Sequence, residues 1–293
     1  MIDVRRARPL LGTLVEIAIH DDLPPATAES VICRAFAAVA RVHALMSYHD
    51  PQSELSCLNR GAFSEAIAVS DETWQVLTAA RQLSEASGGL FDITIAPALA
   101  DAGFLPQHAG ESRASADGAW RDVRLLPGQR VRFAREVRLD LGGIAKGFAV
   151  DQAIATLQEA GVVSGEVNAG GDLRVLGRPA HRVYLRHPGQ PTSLLPVMSH
   201  HAAAATSAGY FQHRHHDGRA YCPIVHAGTH TLCDARRSVT VFADQCLIAD
   251  GLTKILYADP ERGSSLLERF RARAVILEPD NHSGDCRVFD SAV

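Results

Sequence analysis

The chain has 293 residues, of which 46% are hydrophobic and 21% charged, and its formal net charge is −4. Those proportions are typical of a globular protein with a substantial core. The slightly acidic balance argues against a nucleic acid or an anionic membrane surface as the main partner. No apolar run approaches the roughly 20 residues that a membrane-spanning helix needs. We therefore expect neither nucleic-acid binding nor a transmembrane segment.

The N-terminal residues carry early arginines but no apolar segment followed by a small-residue cleavage site, as a signal peptide would. This favours a cytoplasmic protein, although an exported protein whose leader had been trimmed would show the same residues. Six cysteines occur without a Cys-x-x-Cys pair, which is typical of free thiols in a reducing compartment. No repeat or linker-like segment divides the chain, so residues 1–293 are expected to form a single domain.

The spacing of apolar residues, prolines and glycines predicts the secondary structure. The elements predicted in the first half are a strand over residues 13–20, a helix over 26–46, a helix capped by Ser70 or Asp71 and running to 86, an extended segment over 91–99 stopped by Pro97, loops over 101–128, and strands within 131–141. Those predicted in the second half are a helix over 147–160 ended by Gly161, strands over 165–177, a strand over 238–243, helices near 250–257 and 264–271, and a strand over 272–278.

Helices that lie between hairpin-like strands favour a mixed α+β fold over a doubly wound parallel sheet. Neither a Walker A sequence nor a Gly-x-Gly-x-x-Gly fingerprint follows a predicted strand. A cluster of histidines that includes residues 213–216 has two interpretations, a metal site and an exposed hairpin. Its polar, glycine-containing surroundings favour the hairpin.

Only two of the 29 basic residues are lysines, Lys146 and Lys254, and the others are arginines. Lysine carries a compact point charge, whereas arginine presents a planar fork. Lys146 belongs to the sequence DLGGIAKG at residues 140–147, which opens a predicted helix. Paired glycines let a backbone approach a ligand closely, and a helix N-terminus attracts phosphate. These features predict an anion site. The alternative is a strand-to-helix turn that needs glycine only for its geometry.

Two further pairs of polar residues accompany this motif. Asn168 and Asp172 flank a second glycine turn, which is typical of a tight bend but allows both residues to brace a site. Asp250 is predicted at the start of a helix, with Lys254 four residues later. That spacing fits an ordinary surface ion pair as well as a functional one.

Seven segments of the chain together resemble the ApbE family, the FAD:protein FMN transferases. They are residues 11–13, 46–59, 88–97, 139–151, 167–177, 205–210 and 249–254, which occur in the family's order. The resemblance implies a T-fold-like α+β architecture in which antiparallel-rich sheets are flanked by helices and form a flavin cleft. It also implies a magnesium-assisted reaction, in which a Ser or Thr hydroxyl of an acceptor protein attacks the FMN phosphate of FAD and AMP is released.

The resemblance also assigns roles to single residues. Those matching FAD contacts are Leu11, Tyr48, Leu90, Phe91, Asp92, Asp140, Lys146 and Ile224. Lys254 is a further candidate FAD contact, although it does not match the family at its position. Those matching magnesium ligands are the carbonyl of Gly143 and Asp250, and Asp250 is also the candidate catalytic residue. Thr253 is the candidate for the third magnesium ligand, because it neighbours the position of the family's Thr.

The chain departs from the family pattern at Lys254, where the family has a magnesium-ligating Thr four residues after the Asp. Here Thr253 stands one residue early. We therefore expect one of two arrangements: either the ammonium of Lys254 replaces the metal, or Lys254 points to solvent and a metal binds to Asp250, Gly143 and Thr253.

Two other family segments also differ. A family His and Asp are replaced by Pro223 and His226, and the Thr-Ser-Gly turn has an extra Ala208. These differences leave two alternatives to FMN transfer. One is an FAD pyrophosphatase that uses water as the acceptor, and the other is a non-catalytic FAD-binding protein.

Overall fold

An antiparallel sheet lies at the centre of the molecule. The structure, a computed structural model, describes residues 4–107, 118–177, 180–216, 218–278 and 286–289. Within these ranges the sheet has eight strands, each antiparallel to its neighbours. With strands numbered along the chain, their spatial order is β1 (Val4–Leu10), β2 (Thr13–Ile19), β6 (Gly165–Ala169), β7 (Asp172–Leu176), β10 (Ala203–Ala208), β14 (Ser238–Ala243), β15 (Arg273–Leu277) and β16 (Cys286–Phe289).

Three helices cover one face of this sheet and enclose the main core. They are α1 (Pro25–Met46), α5 (Ala145–Glu159) and α6 (Cys246–Ala258), and α5 contacts both of the others. Successive strand residues point to opposite faces, so Val239 and Val241 of β14 enter this core. Small residues such as Ala35 in α1 and Ala149 in α5 are fully buried, which lets these helices pack closely.

A β-hairpin covers the other face of the sheet. It consists of β8 (His181–His187) and β9 (Gln190–Ser199). Val183 and Leu185 point inward and pack with Phe242 of β14 and Val275 of β15 in a second, smaller core. Every described residue of β14 is therefore buried, as expected for a strand with both faces covered.

The other described elements surround this framework. The helices are α2 (Glu54–Gly61), α3 (Asp71–Ala86), α4 (Ala96–Asp101) and α7 (Pro260–Ser264), with 3-10 turns at Trp120–Asp122 and Gly209–Phe211. One small sheet contains β3 (Ile67–Ala68), β4 (Val123–Leu126) and β5 (Arg130–Phe133), and another contains β11 (Arg214–His216), β12 (Arg219–His226) and β13 (Thr231–Asp234). No described helix is long and apolar enough to cross a membrane.

The mixed α+β class is confirmed, and so are the strand before α1, the helices α1 and α3, and the end of α5, where Gly161 has a φ of 81°. The prediction of an extended segment over residues 91–99 is wrong. Pro97 lies in the first turn of α4, where its missing N–H costs nothing, so it helps to begin a helix. The histidines of residues 213–215 lie in an exposed hairpin, as predicted.

Four other segments differ from what the sequence predicts. Helix α2 falls where no element was predicted, and its start is capped by Ser53. The helix expected over 264–271 is instead the short α7, followed by turns up to Arg271, which has a φ of 49°. The strand expected within 131–141 ends at Phe133. Of the predicted loop over 101–128, residues 118–128 include β4, and residues 108–117 lie outside the described ranges.

Candidate active site

A cleft of about 680 Å3 opens between the end of α1, the segment before α5, and strands β10 and β12. It brings together all nine residues predicted to contact FAD, from Leu11 on one side to Ile224 on the other. Gly143, a predicted magnesium ligand, also lines the cleft. Asp250 and Thr253 lie beneath its surface with no exposed area. Their roles toward a ligand remain predictions, but their proximity is a feature of the fold.

The turn between β1 and β2 forms one rim of the cleft. It is a two-residue hairpin turn in which Leu11 and Gly12 have φ values of 55° and 70°. Positive φ at both positions is the geometry that matches the twist of a hairpin. The main-chain N–H of Leu11 donates a hydrogen bond to Nδ1 of His43, in the last turn of α1, at 3.3 Å. The sequence offered no signal for His43, because this contact joins residues that are 32 positions apart.

Residues Leu90 to Asp92 form an apolar wall that ends in a turn. Asp92 Oδ1 accepts hydrogen bonds from the main-chain N–H and the hydroxyl of Thr94, both at 2.7 Å. Its Oδ2 accepts one from the main-chain N–H of Trp120 at 3.0 Å. The carboxylate of Asp92 thus holds its own turn against residue 120. Leu90 and Phe91 remain buried with their side chains along the cleft.

Asn59 fixes the segment that carries Asp140. The side-chain amide of Asn59 donates to the carbonyl of Leu139 at 2.9 Å and accepts from its N–H at 2.7 Å. It therefore pairs with the extended backbone as a neighbouring strand would. Burial raises the pKa of Asp140, which lines the cleft. Asn59 had no evident role from its sequence position alone.

The start of α5 touches the start of α6 at Gly147. A Cβ atom at Gly147 would lie 2.3 Å from the carbonyl oxygen of Cys246, so only glycine fits without a shift. This contact lets the main-chain N–H of Gly147 donate to Asp250 Oδ2 at 3.1 Å. The glycine is therefore needed for close helix packing, and the same packing creates a buried hydrogen bond to a predicted site residue.

Lys146 lies between two buried carboxylates. Its ammonium forms an ion pair with Asp172 and lies 3.9 Å from Asp250 Oδ2. Asp172 Oδ1 also accepts a hydrogen bond from the main-chain N–H of Thr206 at 3.2 Å. The glycine turn before Asp172 thus braces the site, which was one of its two interpretations. About a third of the Lys146 side chain remains exposed toward the cleft.

Asp250 and Lys254 form an ion pair in the interior. Asp250 is the fifth residue of α6, not its start, and it is fully buried. Lys254 Nζ lies 2.5 Å from Asp250 Oδ1, and one fifth of the lysine side chain is exposed. The interpretation of an ordinary surface pair is therefore wrong. The i,i+4 spacing does bring the two side chains together, but the packing of α6 against β10 buries this face of the helix.

The charges within this cluster set the ionisation of its carboxyl groups. Burial alone would raise the pKa of Asp250, but the ammonium groups of Lys146 and Lys254 outweigh it and hold that pKa below the usual value. Burial raises the pKa of Asp172, and Lys146 only partly offsets it. The pKa of Lys146 is raised, because the attraction of Asp172 and Asp250 exceeds the opposing effect of burial. The cluster therefore holds Lys146 charged at neutral pH.

Two of the three predicted magnesium ligands, Asp250 and Thr253, are engaged by protein groups in this structure. Oδ1 of Asp250 is bound by Lys254, and Oδ2 accepts from Gly147. The hydroxyl of Thr253 donates to the carbonyl of Asp250 at 2.6 Å, and it contacts Lys254 Nζ at 3.0 Å and Ser207 Oγ at 2.7 Å. Among the described residues, no group of three or more His, Cys, Asp or Glu side chains is placed to hold a metal ion.

The two residues that replace the family's His and Asp have different positions. Pro223 lies on β12 and lines the cleft next to Ile224. His226, at the end of the same strand, lines a separate groove, and its Nδ1 lies 3.2 Å from the hydroxyl of Thr229. One departure therefore changes the wall of the cleft, and the other lies outside it.

The fold and the site define a class of protein. It is an antiparallel α+β protein that has a largely apolar ligand cleft and two lysines among buried carboxylates at its floor. The chain belongs to the ApbE family, whose model matches residues 11–277. The resemblance predicted from the seven segments is thus confirmed.

Individual relatives agree with this assignment. The FAD:protein FMN transferase of Vibrio cholerae is 28% identical, with 90% of this chain and 84% of the relative covered. The FAD:protein FMN transferase of Treponema pallidum is 27% identical, with 94% of this chain and 84% of the relative covered. The crystal structure of the ApbE protein of Thermotoga maritima superposes with a TM-score of 0.86 at 22% identity, covering 99% of this chain and 100% of that one. This last likeness supports the fold.

Proposed function

We propose that this chain transfers the FMN part of FAD to a hydroxyl group of an acceptor protein and releases AMP. Membership of the ApbE family and relatives named FAD:protein FMN transferase support the reaction. The observation that carries it in this chain is the pairing of Lys146 and Lys254 with Asp172 and Asp250 at the floor of an apolar cleft. A flavin dinucleotide needs this combination, because its rings are apolar and its pyrophosphate is anionic.

The cleft suits a dinucleotide in size and in lining. Its volume of about 680 Å3 falls within the range of roughly 300–1,000 Å3 that is usual for small-molecule sites. Leu90, Phe91 and Ile224 supply apolar walls for ring systems, and Lys146 and Lys254 supply charge for phosphates. We assign the flavin and adenine rings to the walls and the pyrophosphate to the lysines.

The reaction breaks the phosphoanhydride bond of FAD and forms a phosphoester bond to the acceptor hydroxyl. The acceptor oxygen attacks the phosphorus of the FMN half, and the bond to the AMP phosphate breaks. AMP leaves with the bonding electrons, and the proton of the acceptor hydroxyl passes to solvent. The transition state of phosphoryl transfer is loose, so catalysis rests mainly on positioning and on stabilising charge. Ammonium groups held at the pyrophosphate before the reaction begins provide this stabilisation. We propose a Ser or Thr as the acceptor, because its hydroxyl has the required chemistry.

Asp250 contributes mainly by holding the lysines. Its carboxylate accepts from Gly147 and Lys254, and its low pKa makes it a weak proton acceptor at neutral pH. A general base works best with a pKa near the working pH. The assignment of Asp250 as catalytic residue stays a prediction, and we give it the specific role of orienting Lys146 and Lys254 toward the pyrophosphate.

The test is to incubate the purified chain with FAD and acceptor domains that carry a Ser or Thr in an exposed loop. We expect AMP and a covalently flavinylated acceptor, detected by chromatography and by mass. Asp250→Asn should lower the rate by about 100-fold or more, the scale of losing one preorganised electrostatic group. Asp259→Asn is the matched control, because Asp259 caps the short helix α7 and does not line the cleft.

Two outcomes would contradict the proposal. AMP and free FMN without a labelled acceptor would mean that water is the acceptor, and the activity would be hydrolysis of FAD. Intact FAD with every acceptor, despite tight FAD binding, would leave a binding protein without turnover.

A further inference from the structure

Lys254 lies where its ammonium can act as a fixed cation. Nζ contacts three oxygen atoms: Asp250 Oδ1 at 2.5 Å, Thr253 Oγ1 at 3.0 Å and the carbonyl of Asp250 at 3.3 Å. These contacts involve Asp250 and Thr253, which are two of the three predicted magnesium ligands. An ammonium has three N–H donors and no acceptor, so a ring of oxygen atoms satisfies it.

The third group, Gly143, lies against the stem of the same lysine. A Cβ atom built on Gly143 would lie 3.3 Å from Cγ and 3.6 Å from Cε of Lys254. The lysine side chain therefore passes directly over Gly143 before it reaches Asp250. Both residues line the cleft, and one fifth of the Lys254 side chain is exposed. The ammonium is thus open to a ligand on one side and held by protein oxygen atoms on the other.

The hydroxyl of Thr253 has no lone pair left for a metal. Its single hydrogen goes to the carbonyl of Asp250, because a carbonyl can only accept. Ser207 must then be the donor in its contact with Thr253, and Lys254 donates to the remaining lone pair. With one hydrogen and two lone pairs in use, the hydroxyl is fully satisfied. A divalent ion would have to displace Lys254 or Ser207 to bind this oxygen.

We propose that Lys254 supplies the positive charge at the FAD pyrophosphate in this chain, so that FAD binds without a divalent metal ion. This proposal rests on the proposed function, since it names the group that meets the phosphates of the same ligand. The contact with the carbonyl of Asp250 is the longest of the three, so its N–H can turn to a phosphate oxygen while the ion pair with Asp250 stays intact. The like charge of the ammonium opposes a metal at the same position.

The first test measures the affinity of the native chain for FAD by flavin fluorescence, once with excess Mg²⁺ and once with EDTA. We expect dissociation constants within about twofold of each other, a difference well below the 1.4 kcal/mol of a tenfold change. A loss of about tenfold or more in EDTA would overturn the proposal. Absence of FAD binding in both buffers would instead contradict the proposed function, so the two failures are distinct.

Two variants separate the charge of Lys254 from its bulk. Lys254→Met keeps the length and removes the charge, so in EDTA it should weaken FAD binding by about tenfold or more. Lys146→Met is the matched control, since Lys146 is the other lysine of the cleft and contacts Asp172. FAD binding by Lys254→Met should recover in Mg²⁺, because Asp250 Oδ1 is then available, whereas that of Lys146→Met should not. Unchanged affinity of folded Lys254→Met in EDTA would overturn the proposal.

A direct metal readout does not depend on FAD at all. The spin resonance signal of free Mn²⁺ decreases when the ion binds to a protein. We expect the native chain to leave this signal unchanged, and Lys254→Thr to reduce it, because an added hydroxyl replaces the opposing ammonium. Binding of Mn²⁺ by the native chain that is lost in Asp250→Asn would overturn the proposal even if the lysine variants failed to fold.

Discussion

The carboxylate of Asp151 in α5 accepts a hydrogen bond from the main-chain N–H of Cys246, the first residue of α6, at 3.0 Å. Its second oxygen accepts from the N–H of Leu247 at 2.9 Å, and Arg174 of β7 donates to the first oxygen at 2.7 Å. The first turn of a helix has N–H groups without partners inside the helix, and a carboxylate there satisfies them. Helix α5 therefore caps the helix that carries both Asp250 and Lys254.

Removing this cap should affect stability and ligand binding together. Asp151→Ala leaves two N–H groups and Arg174 without a partner, so we expect a loss of about 1–2 kcal/mol in the free energy of unfolding. For a chain of this size, that corresponds to a fall of roughly 2–8 °C in melting temperature. FAD affinity should also fall, because a shift of α6 would move Asp250 and Lys254, which belong to this helix. Thermal melts and fluorescence titration measure the two effects.

The control for this variant is Asp259→Ala, since Asp259 caps α7 by accepting from Arg262 N at 3.1 Å. It removes a helix cap of the same chemistry outside the cleft, so FAD affinity should not change. Equal losses of FAD affinity in the two variants would mean that Asp151 has no special connection to the site.

The cap shows why the sequence predicts only part of the site. Helix α5 could be predicted because its signals are local: Gly161 ends it, and apolar residues recur along it. Asp151 and Cys246 are 95 positions apart, and nothing near either residue indicates the other. The same holds for Asn59 and Leu139, which are 80 positions apart. Local signals predict elements, whereas the contacts that orient site residues come from tertiary packing.

Ambiguous local signals explain two of the errors. Proline is common both at the end of a strand and in the first turn of a helix. Pro97 alone therefore does not distinguish an extended segment from the start of α4. The spacing of Asp250 and Lys254 is the same on an exposed helix face and on a buried one. For Asp250 and Lys254, the packing of α6 against the central sheet makes the helix face a buried one. The residues that the motif resemblance indicates do line one cleft, although the local pattern alone does not bring them together.

Asp250 should make stability depend on pH. Its pKa is lower in the folded state than in the unfolded chain, so the folded state favours the ionised form. The resulting stabilisation is fully present above the unfolded pKa of about 4, and it is lost as the pH falls through the folded value. Asp250→Asn removes this contribution. The gap in melting temperature between native chain and variant should therefore be large at pH 7 and shrink toward pH 3.

Melts across this pH range check the sign directly. Asp250→Asn keeps an acceptor for the N–H of Gly147, so the comparison mainly reports the lost charge between Lys146 and Lys254. A gap that stays constant with pH, or grows as the pH falls, would show that Asp250 is not held ionised by these lysines.

Two glycine substitutions with equally short contacts should differ in how much they destabilise the fold. A Cβ at Gly147 would lie 2.3 Å from the backbone oxygen of Cys246, and one at Gly251 would lie 2.3 Å from a methyl carbon of Leu83. In a helix with open space, Gly→Ala stabilises by up to about 1 kcal/mol. A backbone oxygen cannot rotate away, whereas the end of a leucine side chain can. Gly147→Ala should therefore be the more destabilising, by roughly 1–3 kcal/mol or more.

Only one of these two substitutions should also weaken FAD binding. Pushing α5 away from α6 separates the N–H of Gly147 from Asp250, so Gly147→Ala should also weaken FAD binding. Gly251→Ala leaves this hydrogen bond in place, because its strain falls on Leu83 in α3. Thermal melts and fluorescence titration of both variants give the two comparisons. If Gly147→Ala melted at or above the native temperature, the helices would not be held at the separation that buries Asp250, and the ion pair with Lys254 would lose its structural basis.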